Sequence, residues 1–510
     1  MRLSHLICSL ALLAGLTLGA QPALAQNDAD ETPVVTPGGV NPRDAAVKIF
    51  STIRRPDLVR PWTKTPPQDV TGTGFVIVGD RILTNAHVVA NASQIFVQPP
   101  RSSDKLRAEV VAIATGIDLA VLQLSRESDR EKFFANHPAL PLEDALPEAG
   151  EMVKVYGYPM GGEQLSVTEG VVSRVEYSAY YNDAAGVRIQ VDAALNPGNS
   201  GGPALAGDKV IGVVFSHMPE GENIGFVIPT EEVERFLDDV ADGRYEGPPR
   251  NFDSFQTLEN PALREKLGVD ESVHGLVVNE TFGEDSDLKR WDILVRVGDY
   301  DVDNAGLVTL RPDLRLAWQS LIPDLAEDGV VPGEVVREGE RVPVKLHVSE
   351  SDDSVMDFLA DADPDYFIYG PLVFTPAYIE HFRALNTGFL ALKKSPIAER
   401  IGDTKDFDDE QLVIVPGSLL PHPVSKGYEI SYFPTLKSVN GVKIKNLAHL
   451  VETLRDLKDD YVTFEFYDNT QEILVFDRQE IEDSTEEILE DNSIRRRMSP
   501  ALEPIWEGKD

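Results

Sequence analysis

The chain predicts a mostly β protein of several domains, on three observations. From Ala45 onward, short alternating apolar segments (residues 74–78, 152–156, 187–191 and 210–215) are separated by turn residues. That spacing suits an antiparallel barrel or sandwich better than a βαβ unit. A length of 510 residues exceeds one hydrophobic core and implies roughly two to four domains. The composition, 42% hydrophobic and 26% charged, is that of an ordinary globular protein.

Taken in order, residues 1–25 read as a secretory signal, with Arg2 as basic start, an apolar run over 6–18 and Ala23-Leu24-Ala25 before a cut at Gln26. The sole cysteine, Cys8, lies inside it, so the mature chain carries no thiol. An exported protein is expected, with the bacterial periplasm as its compartment. No later run is long and apolar enough to span a bilayer. Residues 26–40 are polar and read as a loose arm. The β-rich domain spans 41–243 and closes with an amphipathic helix over 229–240, Thr230 being its N-cap. Residues 243–250, with Pro248 and Pro249, form a linker. A second domain covers 251–350, with a helix at 261–268 and strands at 275–278 and 292–298. A third covers 358–480, marked by the Asn440-Gly441 turn between two strands, a helix at 447–457 and strands at 462–467 and 472–476. Within it, 365–409 reads as an insertion. Residues 481–510 read as an acidic helix and loose tail. The formal charge of −38, from 85 acidic and 47 basic residues, disfavours nucleic acid and anionic membranes as partners. No cofactor and no metal site are expected.

The chemistry is concentrated in three segments. Asn196-Pro-Gly-Asn-Ser-Gly-Gly-Pro203 places Ser200 in a glycine-rich turn. Such a turn can aim successive N–H groups at one point, beside a nucleophile whose reaction develops an oxyanion. Alone this pattern is only moderately specific. His87 ends the apolar segment 81–87, as suits a general base at a strand end, and Asp118 opens the apolar run 119–124, where it can orient an imidazole. A lone histidine or aspartate in such a place is usually structural. The three together, in the order His, Asp, Ser, follow the order of double β-barrel serine proteases. The other histidines, among them His137, His217 and His422, stand in no comparable setting.

Seven stretches carry a family resemblance: 71–75 (TGTGF), 83–87 (LTNAH), 118–122 (DLAVL), 156–159 (YGYP), 168–173 (TEGVVS), 198–203 (GNSGGP) and 223–229 (NIGFVIP). They resemble the HtrA (Deg) serine proteases, densely over about 40–240 and more weakly beyond. The resemblance implies a trypsin-like fold of two six-stranded barrels with the site in the cleft between them. It implies Ser200 as nucleophile, His87 as base and Asp118 as its partner. The oxyanion hole would comprise Gly198, Asn199 and Ser200, with the N–H groups of Gly198 and Ser200 donating. Ala194 would floor a substrate pocket walled by Val213, Val214, Phe215, Ile224, Gly225 and Phe226, suited to small or medium aliphatic side chains. The segments 176–186 and 216–222 would be loops that need a ligand to order. Residues 251–350 resemble a PDZ domain, except that Phe252, Asp253 and Ser254 replace the usual glycine-bearing carboxylate loop, and Asp253 would repel a free C-terminus. Residues 358–480 resemble a second PDZ-like unit, ordered as in the two-PDZ Deg proteases of plants, whose role as binder or structural piece stays open. A homotrimer or larger assembly is also implied. Two functions are thus carried forward: an ATP-independent endoprotease for misfolded exported proteins, with PDZ domains gating or recruiting substrate; and a PDZ-based holdase or scaffold with minor or switched-off proteolysis.

Overall fold

A computed structural model describes residues 39–160, 162–180, 184–215, 225–283, 286–351, 353–384, 396–430, 433–467 and 471–509. The signal-peptide reading, and all but the end of the arm, lie outside the described residues. Six strands, β1 (Ala46–Ile53), β2 (Gln68–Ile77), β3 (Arg81–Thr84), β4 (Ala92–Gln98), β5 (Leu106–Ala114) and β6 (Leu119–Leu124), close a first barrel in the order β1-β2-β3-β6-β5-β4. Closure follows because β1 pairs with β2 on one side and β4 on the other. Six more, β7 (Met152–Gly157), β8 (Ser166–Ala179), β9 (Ala185–Val191), β10 (Pro203–Ala206), β11 (Lys209–Phe215) and β12 (Gly225–Pro229), close a second barrel in the order β10-β11-β12-β9-β8-β7. The mostly β, double-barrel expectation holds. Alternation along the strands sends Ile49, Phe75, Ile82 and Leu122 into one core and Val155, Ile189, Val214 and Val227 into another. Each such side chain contributes roughly 1.5–3 kcal/mol on burial.

Two local expectations need correction. Thr230 is not the N-cap of the helix Thr230–Asp239; Pro229 is, and the Thr230 hydroxyl instead donates to the Glu143 carbonyl at 2.6 Å. In the segment 176–186, residues 176–179 and 185–186 are ladder rather than loop, with Glu176 opposite Arg188 and Ala179 opposite Ala185, and 181–183 lie outside the described residues. The other expected loop, 216–222, lies outside the described residues, as does His217.

Residues 254–347 form a six-stranded antiparallel sheet with the helix Pro261–Leu267, capped by Asn260 and ended by left-handed Gly268. A hairpin of Leu307–Arg311 and Leu314–Ala317 stands apart from that sheet and packs on the second barrel. There Leu314 and Leu316 meet Val187, and the Arg311 guanidinium donates to the carbonyls of Leu146 (2.9 Å) and Pro147 (2.7 Å). Arg235 also pairs with Asp324 at 3.0 Å.

The C-terminal module has a three-stranded sheet (Phe367–Tyr369, Leu372–Pro376, Val413–Ile414) and a four-stranded one (Leu436–Val439, Val442–Lys443, Tyr461–Phe466, Leu474–Asp477). Asn440 and Gly441 both take positive φ, 46° and 80°, as the expected tight hairpin requires. Within the stretch 365–409, Phe367, Leu372 and Phe374 share one core with Leu450 and Phe464. The expected acidic helix is present, but the stretch after it is not loose. The helix Arg478–Asp491 buries Ile481 and Ile488, and Met498 and Leu502 join the same core region. Its acids dominate the composition, but the apolar residues recur at helical spacing and bury one stripe.

This module grips the segment 54–67 between β1 and β2. Trp62 lies against Tyr366 (ring centroids 6.0 Å apart), Lys64 pairs with Asp363 at 2.9 Å, and His381 Nε2 lies 3.2 Å from the Leu58 carbonyl. His381 Nδ1 accepts the Tyr378 N–H, so Nε2 carries the proton. Burial pushes the His381 pKa down to about 4. Among the described residues no helix is long and apolar enough to cross a membrane.

Candidate active site

The first barrel brings His87 and Asp118 together. β3 ends at Thr84, and a single helical turn, Ala86–Val89, carries His87 out of it. Asp118 stands directly before β6 in the left-handed region (φ 59°), which a short polar side chain tolerates better than most. His87 Nδ1 lies 2.7 Å from Asp118 Oδ2, and the His87 backbone N–H donates to Oδ1 at 2.8 Å. The Asp118 carbonyl accepts from Asn85 Nδ2 (2.9 Å) and from the Ala86 N–H (3.2 Å). The aspartate side chain is 2% exposed and the imidazole 40%. A buried carboxylate satisfied at both oxygens can fix one tautomer, leaving Nε2 on the accessible side of the ring as an acceptor.

The second barrel supplies the turn before β10, where Gly198, Asn199 and Ser200 are all buried. Four successive carbonyls are held. Pro197 O accepts from the Met160 N–H (2.7 Å), Gly198 O from Thr73 Oγ1 (2.7 Å), Asn199 O from the Gly202 N–H (2.9 Å) and Ser200 O from the Thr73 N–H (2.9 Å). In a trans peptide the N–H points opposite the carbonyl of its own plane. Pinning Pro197 O and Asn199 O therefore orients the N–H groups of Gly198 and Ser200. The Asn199 N–H is turned back onto Asn196 O at 3.0 Å, so the Asn199 main chain is engaged within the turn. The glycines are sterically required: Gly198 (φ 104°) and Gly201 (φ 84°) lie in the left-handed region, and a Cβ would strike the Tyr158 carbonyl at the first and the Thr73 carbonyl at the second.

The residues expected to form the substrate pocket differ in burial. Ala194 is exposed, but Val213, Val214, Phe215 and Phe226 are buried. Val214 fills the second barrel, Val213 joins the cluster continuous with the first, and the Arg188 guanidinium lies 5.0 Å from the centre of the Phe215 ring. All four side chains are covered by neighbouring protein atoms. Gly225 is covered by the Leu195 side chain, and Ile224 lies outside the described residues. In the module at 251–350, Asp253 is already engaged. Its Oδ1 accepts from the Phe282 N–H (2.8 Å) and its Oδ2 from Asn251 Nδ2 (2.6 Å), while Phe252 packs on Phe282 and Ser254 begins the edge strand Ser254–Thr257. Two residues inside the family-like stretches 71–75 and 83–87, to which the motifs assign no role, also serve the site: Asn85 braces the aspartate through its carbonyl, and Thr73 braces the serine turn.

Comparisons with known proteins bear on the family of the chain. A family model described as a trypsin-like peptidase domain matches residues 72–213, and one described as a PDZ domain matches 355–501. Protease Do-like 4, mitochondrial, of Arabidopsis thaliana is 34% identical over 481 residues, covering 90% of this chain and 86% of that protein. Protease Do-like 2, chloroplastic, of the same plant is 35% identical over 478 residues, covering 92% and 77%. The solved structure titled HtrA-type protease AlgW with tripeptide covers 60% of this chain and 94% of that chain at 23% identity, with a TM-score of 0.45. With its double barrel, its His87–Asp118 pair and this extent of identity, the chain belongs to the Do-like (HtrA/Deg) family of trypsin-like serine proteases and is a serine endopeptidase carrying a PDZ domain.

Proposed function

We propose that Ser200 is the nucleophile, that His87 takes its proton and returns it to the leaving amine, and that Asp118 holds the imidazole and stabilises its charged form. The N–H groups of Gly198 and Ser200 stabilise the tetrahedral oxyanion. The two-point contact of Asp118 with His87, at 2.7 and 2.8 Å, carries this reading. The substrates are unfolded or misfolded exported polypeptides, cleaved without ATP. Residues 251–350 act as a first PDZ-like module that recruits or gates substrate, since the strand Ser254–Thr257 is the terminal strand of its sheet. Export to a bacterial periplasm rests on the character of residues 1–25, and a homotrimer or larger assembly on family likeness; the two plant relatives are named for mitochondria and chloroplasts. The test is digestion of casein by wild type and Ser200→Ala. Loss to below about 1% of wild-type rate supports the reading, as removal of a triad serine costs on the order of 10⁶ in turnover. Undiminished suppression of client aggregation by a wild type without proteolytic activity would favour the holdase reading.

A further inference from the structure

We propose that Thr73 is a positioning residue for the nucleophile turn, an inference that rests on Ser200 being the nucleophile. Thr73 belongs to β2 of the first barrel, is fully buried, and uses all of its polar groups across the barrel interface or toward the His87 segment. Its hydroxyl donates to Gly198 O at 2.7 Å and accepts the Tyr158 N–H at 2.8 Å. Its own N–H donates to Ser200 O at 2.9 Å, and its carbonyl accepts from Thr84 Oγ1 at 2.7 Å.

The placement matters because of which peptide planes are held. The Gly198–Asn199 plane sits between the two planes that carry the oxyanion donors, so rotation there swings both N–H groups. The Thr73 hydroxyl holds that plane at its carbonyl while Asn196 O holds it at the Asn199 N–H, and the Thr73 N–H holds the plane following Ser200. Thr84, at the end of β3, lies three residues before His87 and locks the Thr73 carbonyl. The hydrogen bonds Thr84–Thr73–Gly198 thus link the strand that presents the base to the turn that presents the nucleophile. Serine would retain the hydroxyl, while valine keeps the shape and removes the donor. A main-chain contact alone would place no demand on the side chain; a buried hydroxyl that both donates and accepts does.

The test uses full-length enzyme and three substitutions, Thr73→Val, Thr73→Ala and Thr73→Ser, with kcat and KM measured on a quenched-fluorescent casein and the rate of Ser200 labelling by a fluorophosphonate measured in parallel. Thr73→Val and Thr73→Ala should lower kcat and the labelling rate by roughly 30- to 100-fold with KM little changed, the order expected when a reacting group is displaced by about 1 Å. Thr73→Ser should stay within about threefold of wild type, a hydroxyl rescue that simple loss of packing would not produce. Melting temperature and elution volume establish that each variant is folded. A folded Thr73→Val or Thr73→Ala with wild-type kcat overturns the proposal, as does a loss residing in KM alone. If both deletion variants fail to fold, the serine variant still decides: a folded Thr73→Ser reduced more than about tenfold assigns the effect to methyl packing and overturns it. Activity surviving in Ser200→Ala would instead overturn the nucleophile assignment beneath it.

Discussion

In the first barrel, His87 and Asp118 stand at the ends of β3 and β6, and the aspartate is held at both carboxylate oxygens and its carbonyl. In the second, residues 197–200 precede β10 and take their shape from single hydrogen bonds, two of them donated by Thr73 of the other barrel. The flanking modules divide in the same way. The module at 355–501 grips the first barrel through aromatic rings and a buried histidine, whereas that at 251–350 is fastened to the second by guanidinium groups and a small apolar patch. Their sheet edges differ as well. Among the described residues, Ser254–Thr257 has a ladder on one side only. In the C-terminal module, Phe367–Tyr369 is covered by the Arg497 and Met498 backbone, and Val475 of the strand Leu474–Asp477 meets the Tyr428 hydroxyl through both its N–H and its carbonyl. The base half of the site is thus set by regular structure, while the nucleophile half depends on its neighbours. A match to a PDZ model does not by itself leave an edge open for a peptide.

The largest effect should come from the preset half. Asp118→Asn keeps the shape but donates where Asp118 accepts, so kcat should fall by up to roughly 10⁴ with KM near normal. Steady-state kinetics check this, and a loss below tenfold would mean that the aspartate does not govern the tautomer.

Next comes the grip on the first barrel. His381 is held neutral, with its pKa lowered from 6.5 to about 4 by burial. Above pH 6.5 both folded and unfolded chains carry it neutral. Below that, the unfolded chain takes up a proton that the folded chain refuses, so stability falls as pH drops toward 4, by about 3 kcal/mol in full. Melting curves from pH 7 to 4.5 should show a steeper fall for wild type than for His381→Gln, which does not titrate. Parallel curves would contradict it.

A smaller effect is expected at the second barrel. Arg311→Ala removes two charge-assisted hydrogen bonds and should cost about 1–2 kcal/mol of docking. Hydrogen exchange should rise across 307–317 and leave β1 to β6 unchanged; equal loosening of both barrels would erase the contrast between them.

The smallest effect concerns the open edge. Strand addition uses main-chain bonds, and on the proposed reading Asp253 stands in the carboxylate loop, so matched acid and amide peptides should bind within tenfold of each other, under about 1.4 kcal/mol. Asp253→Asn should strengthen the acid alone. Calorimetric titration of the Ser200→Ala protein decides, and a tenfold preference of wild type for the acid would place the carboxylate loop elsewhere.

Much of this architecture could be read from the sequence because it is local. Strand alternation marks β2, β7, β9 and β11, the Asn440-Gly441 pair marks its hairpin, and the glycines around Ser200 reflect positive φ and close approach. What could not be read is what contacts decide over long separations. The Thr73 hydroxyl meets Gly198 across 125 residues, so no window contains both. Val213 and Val214 fit a pocket wall or a barrel core equally well until the barrel closes around them. The stretch after the acidic helix reads as a loose tail until Met498 and Leu502 are placed in the C-terminal core.

The most direct test of the central claim is where an acyl-site probe becomes attached. Full-length protein treated with a fluorophosphonate and digested for mass spectrometry should carry one adduct, on Ser200, absent from Ser200→Ala and formed far more slowly in His87→Ala. Casein cleavage that persists with Ser200 unlabelled, or an adduct on another residue that tracks with loss of activity, would contradict the account.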